Sequence, residues 1–120
     1  MSYEIDFLIG KVTGGCIIGL DGGIWASTPG FYGSTAEFSH FKDAFDPQSE
    51  MIFKGIVFLG ETYVVTDINP EYVVAKKGAN SLVIVKRPTC IVLGYNDDQI
   101  KFETCFNAVT KLAQSLPELK

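Results

Sequence analysis

Hydrophobic residues follow two different spacings along this chain, and the spacings predict strands in one part and helices in others. Between residues 53 and 95, short apolar runs alternate with turns that contain Gly, Asn or Pro. Short strands at such close spacing are typical of an antiparallel meander, because parallel strands need longer crossover connections. The predicted strands of this meander are 56–59, 63–65, 72–75, 82–85 and 89–93.

A β-hairpin is predicted before the meander. Two apolar runs, 16–20 and 24–27, lie on either side of the sequence Asp21-Gly22-Gly23. Asp-Gly favours the positive φ angles that a tight hairpin turn requires. The two runs are therefore expected to pair as antiparallel strands.

Three further segments carry helical spacing. The first, 3–9, is short and amphipathic and ends at Gly10. The second begins with Ser34 and Glu37, which together form a capping box at a helix N-terminus. Its apolar face would comprise Phe38, Phe41 and Phe45.

The third helix ends at Pro117. Its apolar stripe comprises Phe102, Phe106, Val109, Leu112, Ala113 and Leu116. Residues spaced in this way line one face of a helix.

The order of these elements predicts an α+β fold with one antiparallel sheet and helices packed on it. The chain has 120 residues, which is close to the commonest size of one domain. Hydrophobic residues make up 47% of it and charged residues 20%, a composition typical of globular proteins. We therefore expect a single domain over residues 1–120, and a monomer.

The net charge of −4 argues against nucleic acid as a partner, since such proteins usually present a basic field. One basic patch is predicted, made of Lys76, Lys77, Lys86 and Arg87. The first residues do not resemble a signal peptide. No apolar run approaches the roughly 20 residues that span a bilayer, so a cytoplasmic location is expected.

The residues that usually carry catalysis are scattered. His40 is the single histidine, and Cys16, Cys90 and Cys105 lie among apolar neighbours without metal-ligand spacing. The adjacent carboxylates Asp97 and Asp98 follow an apolar run, where their expected role is to complement the charge of a helix N-terminus or to form a turn. No catalytic residue, metal or cofactor is predicted, and the protein is not expected to be an enzyme. Its function should then reside in its surfaces.

Two groups of residues are candidates for such surfaces. Tyr3 and the single tryptophan, Trp25, lie near the first helix and the hairpin, and Lys76 and Lys77 lie at a predicted turn. Composition alone favours a core position for the two aromatic residues. It likewise favours a merely solvated tip for the two lysines.

Four motifs, in the same order and at nearly the same distances, resemble the profilin family. Residues 17–26 resemble the family's A-I-I-G-x-D-G-x-V-W-A signature, and residues 55–60 resemble G-L-x-L-G-G. Residues 76–84 resemble K-K-G-x-x-G-I-x-I, and Cys105 with the apolar stripe after it resembles the start of the C-terminal helix. The chain is thus identified as a member of this family.

The resemblance implies a profilin-like sheet with the N- and C-terminal helices on one face and the middle helix on the other. It implies binding of monomeric actin, with regulation of polymerisation and nucleotide exchange, at the cytoskeleton. It also implies a proline-rich segment at Tyr3 and Trp25, and phosphoinositides as a weaker partner. The implied actin-binding residues are Phe53, Val65, Lys76, Lys77, Lys86, Phe102, Glu103 and Asn107.

Two other classes stay open at this point, because both also place helices on an antiparallel sheet. One is a small-molecule sensor domain of the PAS or GAF type, which would need an internal cavity. The other is a roadblock-like dimerisation scaffold.

The sequence also departs from the profilin pattern, since Thr62, Asp67 and Glu103 replace basic residues and no aromatic residue follows Ala113.

Overall fold

The computed structural model describes residues 8, 10–20, 23–28, 41, 45, 51–58, 60–68, 70–87 and 90–115. The strands in this part of the chain are β1 (Gly14–Gly19), β2 (Ile24–Ser27), β3 (Ile56–Phe58), β4 (Glu61–Ile68), β5 (Tyr72–Lys77), β6 (Asn80–Lys86) and β7 (Cys90–Asn96). The helices are α1 (Met51–Lys54) and α2 (Phe102–Ser115).

The described strands form one antiparallel sheet of seven strands in the order β2-β1-β7-β6-β5-β4-β3. The predicted hairpin and the predicted meander are both confirmed, as β1–β2 and β3–β7. They join because β1 pairs with β7 over its whole length, from Gly14 opposite Tyr95 to Gly19 opposite Cys90. This pairing links residues more than 70 positions apart, and hence closes the hairpin onto the end of the meander.

Buried side chains of the described residues form two clusters on opposite faces of the sheet. Neighbouring residues of each strand divide between them, as expected for side chains that alternate across a strand. Thus Ile18 and Ile84 lie in the first cluster, and Ile17 and Val83 lie in the second. The second cluster also contains the buried side of α2: Cys105, Ala108, Val109, Leu112 and Ala113.

The predicted stripe of the last helix is confirmed for its buried part and modified at its flank. Val109 and Leu112 are buried, whereas Phe102 and Phe106 are half-buried at the side of the helix. The helix lies very close to β7, since a Cβ added to Gly94 would stand 2.1 Å from Val109 Cγ2. Only glycine leaves room for this approach.

The other two predicted helices lie almost entirely outside the described residues, so their helical form stays a prediction. Their described residues contact the sheet on different faces. Leu8 is fully buried in the second cluster, beside α2, and Phe41 is fully buried in the first. No helix in the described part of the chain has the length and apolar character needed to cross a membrane.

Candidate functional site

One face of the sheet is partly uncovered beside α2. The helix packs on β6 and β7, while Val57 of β3 is 45% exposed and Val64 of β4 is 64% exposed on the same side. The register places Val64 opposite Lys76 and Val57 opposite Thr62. Two exposed valines therefore stand beside a lysine on the surface of a rigid sheet.

The side chain of Lys76 connects this surface to the start of α2. Its Nζ lies 4.4 Å from the centroid of the Phe102 ring, which is within the range of a cation–π contact. Glu103 follows Phe102 and is exposed, and so is Asn107 one helical turn later. We call this surface the open face; it comprises Val57, Thr62, Val64, Lys76, Phe102 and Glu103, with Asn107 at its rim.

Val65 lies on the other side of the sheet. It stands opposite Ala75 and packs, partly buried, against the first cluster. The resemblance implied that Val65 lies in one site with Lys76 and Phe102. The structure does not bring Val65 together with them. Val64, the residue before it, holds the position on the open face instead. Alternation along the strand requires one of two adjacent valines to face each way.

The four cations that the sequence suggested as one patch are separated by the β5–β6 hairpin. Lys76 and Lys77 precede its turn, in which Gly78 has a φ of 59°. Lys86 is the last residue of β6 and Arg87 follows it. Lys86 is six strand positions beyond Asn80 at the turn, which corresponds to roughly 20 Å. The prediction of a single basic patch was wrong, because an antiparallel hairpin places its two ends far apart.

Lys76 and Lys77 also point to opposite faces of β5. Lys77 forms an ion pair with Glu61 of β4, and both side chains are about half exposed. Lys76 contacts the Phe102 ring instead, and within the described residues no carboxylate pairs with it. The open face therefore carries the lysine whose charge is available to an acidic partner.

Phe53 is the most exposed large hydrophobic side chain among the described residues, at 89%. It lies in α1, a short helix next to β4 that ends at Lys54 and is followed by Gly55. Gly55 has a φ of 89°, and a Cβ there would stand 2.6 Å from the carbonyl oxygen of Tyr63. Glycine thus permits the sharp turn that holds α1 beside the strand and presents Phe53 to solvent.

Trp25 lies at the surface in β2, an edge strand of the sheet as described, and is 38% exposed. Composition alone favoured a core position for it, and that interpretation was wrong. Among the described strands β2 has one neighbour, β1, so in that part of the chain its other edge has no strand beside it. The adjacent Ile24 is also exposed, at 43%. Tyr3, the predicted partner of Trp25, lies outside the described residues.

The polar groups near α2 form a turn. The Thr13 hydroxyl donates to Asp97 Oδ1 at 3.0 Å, and the same carboxylate oxygen accepts the backbone N–H of Gln99 at 2.9 Å. Asp97 therefore performs the turn role that the sequence suggested. Burial raises the pKa of the Cys16 and Cys105 thiols to about 12, so both are protonated at neutral pH. Among the described residues no His, Cys, Asp or Glu side chains cluster in a way that could hold a metal ion.

The sequence matches the family model described as Profilin over residues 5–120. The chain belongs to the profilin family. It is 34% identical to Profilin-2 of Acanthamoeba castellanii, with 89% of this chain and 85% of the relative covered. It is 33% identical to Profilin-1 of Entamoeba histolytica, with 81% and 78% covered. The resemblance inferred from the four motifs is confirmed, and neither alternative class finds support.

Solved structures lead to the same family. The crystal structure of Acanthamoeba castellanii profilin II has a TM-score of 0.86 and 31% identity, and 94% of each chain is covered. LokiProfilin1 in a crystal structure of its complex with rabbit actin has a TM-score of 0.73 and 21% identity, with 97% of this chain and 96% of that chain covered. At that level of identity the likeness shows a shared fold.

Proposed function

We propose that this profilin binds monomeric actin through the open face and thereby regulates actin polymerisation and nucleotide exchange. The observation that carries the proposal is the pair of exposed valines beside Lys76 and Phe102. Family membership supports it. LokiProfilin1, which has the same fold as this chain, is found in a complex with rabbit actin, and this supports the proposal as well. The function requires no chemical step by the protein, which acts in the cytoplasm as a monomer.

The two parts of the open face contribute differently. Interfaces usually owe most of their binding energy to a few central apolar or aromatic residues, and Val57, Val64 and Phe102 supply such a centre. Because this chain carries a net charge of −4, an acidic partner must approach through a local cation. Lys76 provides that cation in a fixed position, since the Phe102 ring restricts its side chain. Phe53 and the polar pair Glu103 and Asn107 extend the surface at its margins.

Lys77 is assigned a lesser role in actin binding than its neighbour. Its ammonium faces Glu61 on the opposite side of β5, so its field at the open face is partly offset. Lys86 stands at the far end of the hairpin and Val65 faces the first cluster. We therefore omit Val65 and Lys86 from the proposed actin site.

Charge reversal at the two adjacent lysines tests the proposal. Lys76→Glu is expected to slow association with monomeric actin about tenfold at low salt, because electrostatic complementarity acts mainly on the association rate. The effect should shrink as salt screens the charges. Lys77→Glu is the matched control and should change the rate less than threefold. The measurement is inhibition of pyrene-actin polymerisation, with binding kinetics across a salt series.

Two results would contradict the proposal. If the parent protein does not bind monomeric actin, the proposed function is wrong. If Lys77→Glu impairs binding as strongly as Lys76→Glu while both variants unfold like the parent, the site is not on the open face. Exposed charges contribute little to stability, so both variants should fold.

A second binding function is proposed for the surface around Trp25. Its 38% exposure on an edge strand favours stacking of proline rings, which aromatic side chains bind in the polyproline II conformation. Phosphoinositides would bind more weakly, given the acidic chain.

The tryptophan is its own reporter for this second function. A proline decamer is expected to shift the fluorescence of Trp25 with a dissociation constant in the high micromolar range or weaker. Trp25→Phe, which retains an aromatic ring, should bind more weakly than the parent by calorimetry, and Trp25→Ala should not bind. Unchanged fluorescence up to millimolar peptide would exclude this surface.

A further inference from the structure

A groove of about 550 Å³ lies between the base of the β5–β6 hairpin and the second half of α2. Its lining shares no residue with the open face, and its cations lie at the end of the hairpin away from Lys77. The two surfaces adjoin at the helix, where the Phe106 ring lies 5.7 Å from the Phe102 ring, centroid to centroid. The residues that line it are Glu71, Tyr72, Val85, Lys86, Arg87, Phe106, Thr110, Ala113 and Gln114. Its volume is in the range of sites that hold small ligands or a few residues of a peptide.

An aromatic pair forms the apolar part of the groove. The rings of Tyr72 and Phe106 meet edge to face, with centroids 5.0 Å apart and an interplanar angle of 80°. Both side chains are half-buried, so each ring has one side against the core and another toward the groove. Such a pair holds a rigid apolar surface at which another aromatic or aliphatic side chain can pack.

Two cations stand at the sheet side of the groove. In the part of the chain that the structure describes, neither Lys86 nor Arg87 forms an ion pair, in contrast to Lys77 with Glu61. Arg87 is held in place by its backbone, whose N–H donates to the carbonyl of Cys90 at 2.8 Å. One carboxylate, Glu71, also lines the groove, so the lining is more basic than acidic although the whole chain has a net charge of −4.

Polar groups on the helix side complete the lining. The Thr110 hydroxyl donates within the helix to the carbonyl of Phe106 at 2.9 Å, so toward the groove it can act only as an acceptor. The exposed amide of Gln114 lies one turn later and offers donors. The groove therefore combines positive charge, hydrogen-bond donors, an acceptor and an apolar centre.

We propose that this groove binds a short acidic peptide segment of a partner protein, with an aromatic or large aliphatic residue next to its carboxylates. The carboxylates would contact Lys86 and Arg87, and the apolar side chain would pack on Tyr72 and Phe106. A membrane surface fits less well, because recognition of anionic lipid usually takes about four to eight clustered basic residues. The proposal goes beyond actin binding and does not depend on it.

The test uses fluorescein-labelled nonapeptides and the whole 120-residue chain. The probe has four Glu residues flanking one Phe, and two matched peptides replace the four Glu by Lys or the Phe by Ala. Anisotropy titrations at low salt should give saturable binding of the acidic Phe peptide. Binding to the Ala peptide should be at least fivefold weaker, and binding to the Lys peptide should be lost.

Variants of the protein locate the site. Arg87→Glu should weaken binding of the acidic Phe peptide at least tenfold, and Lys86→Glu at least threefold. Lys77→Glu removes the same charge at the other end of the hairpin and should leave peptide affinity within twofold. Arg87→Glu should also leave the inhibition of actin polymerisation unchanged. A failure of the peptide proposal can therefore be distinguished from a failure of the actin-binding proposal.

Three outcomes would overturn the proposal. One is the absence of saturable peptide binding up to millimolar concentration. Another is equal loss of affinity in Lys77→Glu and Arg87→Glu, which would indicate a non-specific charge effect. The third is binding to vesicles of phosphatidylcholine with one-fifth phosphatidylserine, lost in Arg87→Glu, without any binding of the peptides. That last result would assign the groove to lipid.

Discussion

The adjacent valines of β4 offer a direct test of which face of the sheet contacts actin. Val64 is 64% exposed on the open face, and Val65 packs against the first cluster on the other side. Substitution of each by alanine removes the same two methyl groups from positions one residue apart. The two variants therefore differ in the face that is changed and not in the chemistry of the change.

The expected loss of affinity follows from the exposed area that actin would cover. Burial of one methylene-sized group contributes about 0.8 kcal/mol, so complete transfer of two such groups would contribute about 1.6 kcal/mol. Scaled by the exposed fraction of Val64, the loss in Val64→Ala is about 1 kcal/mol, or roughly fivefold in Kd. Val65→Ala should leave Kd within twofold, while lowering the free energy of unfolding by about 1 kcal/mol through a small core cavity.

Calorimetry of each variant with monomeric actin gives Kd, and urea unfolding gives stability. The reasoning would be refuted if Val65→Ala lost as much affinity for actin as Val64→Ala while urea unfolding showed that Val65→Ala is folded under the conditions of the calorimetry. It would also be refuted if Val64→Ala bound like the parent, since the exposed valine would then lie outside the interface. The control is the unfolding midpoint of Val64→Ala in urea. If it equals that of the parent, the loss of affinity is not caused by unfolding.

Two further predictions concern packing and the buried thiols. Gly94→Ala should destabilise the protein by about 1–3 kcal/mol through overpacking, because its Cβ would stand 2.1 Å from Val109 Cγ2. In a double-mutant cycle with Val109→Ala, urea unfolding should show that the two changes are less than additive; additivity would mean that helix and strand do not touch there. Native Cys16 and Cys105 should resist iodoacetamide at pH 8 and react on unfolding, since burial raises their pKa from 9.0 to about 12. The unfolded thiols ionise first as pH rises, so stability should fall between about pH 9 and 12, and rapid labelling of the native protein would contradict this placement.

The strands and the last helix could be predicted from sequence because their signals are local. Short apolar runs separated by turns predict the strands of the meander. The turn at Asp21–Gly23 predicts the hairpin, and the stripe through Val109 and Leu112 predicts the last helix. The pairing of β1 with β7 has no local signal, since it joins segments at opposite ends of the chain. Family resemblance supplied the fold at that point, where periodicity alone left three classes open.

The candidate site was less predictable because it depends on which way each side chain faces. The register between β4 and β5 shifts between Val65 and Asp67, and an irregularity of this kind reverses the parity of the residues beyond it. Sequence does not reveal where such a shift falls, so the choice between Val64 and Val65 required the structure. The exposure of Trp25 likewise depends on β2 being an edge strand, which follows from the nonlocal pairing of β1.

The division of the basic residues shows how this geometry can separate functions on one hairpin. Alternation along β5 sends Lys76 toward Phe102 and Lys77 toward Glu61, while the length of β6 carries Arg87 to the far end. A linear sequence presents these cations as one group, yet a partner on the open face meets one of them. A partner in the groove beside α2 meets the pair at the other end. Two acidic partners could therefore bind the same β5–β6 hairpin through different cations, and a charge reversal at one site should leave the other intact.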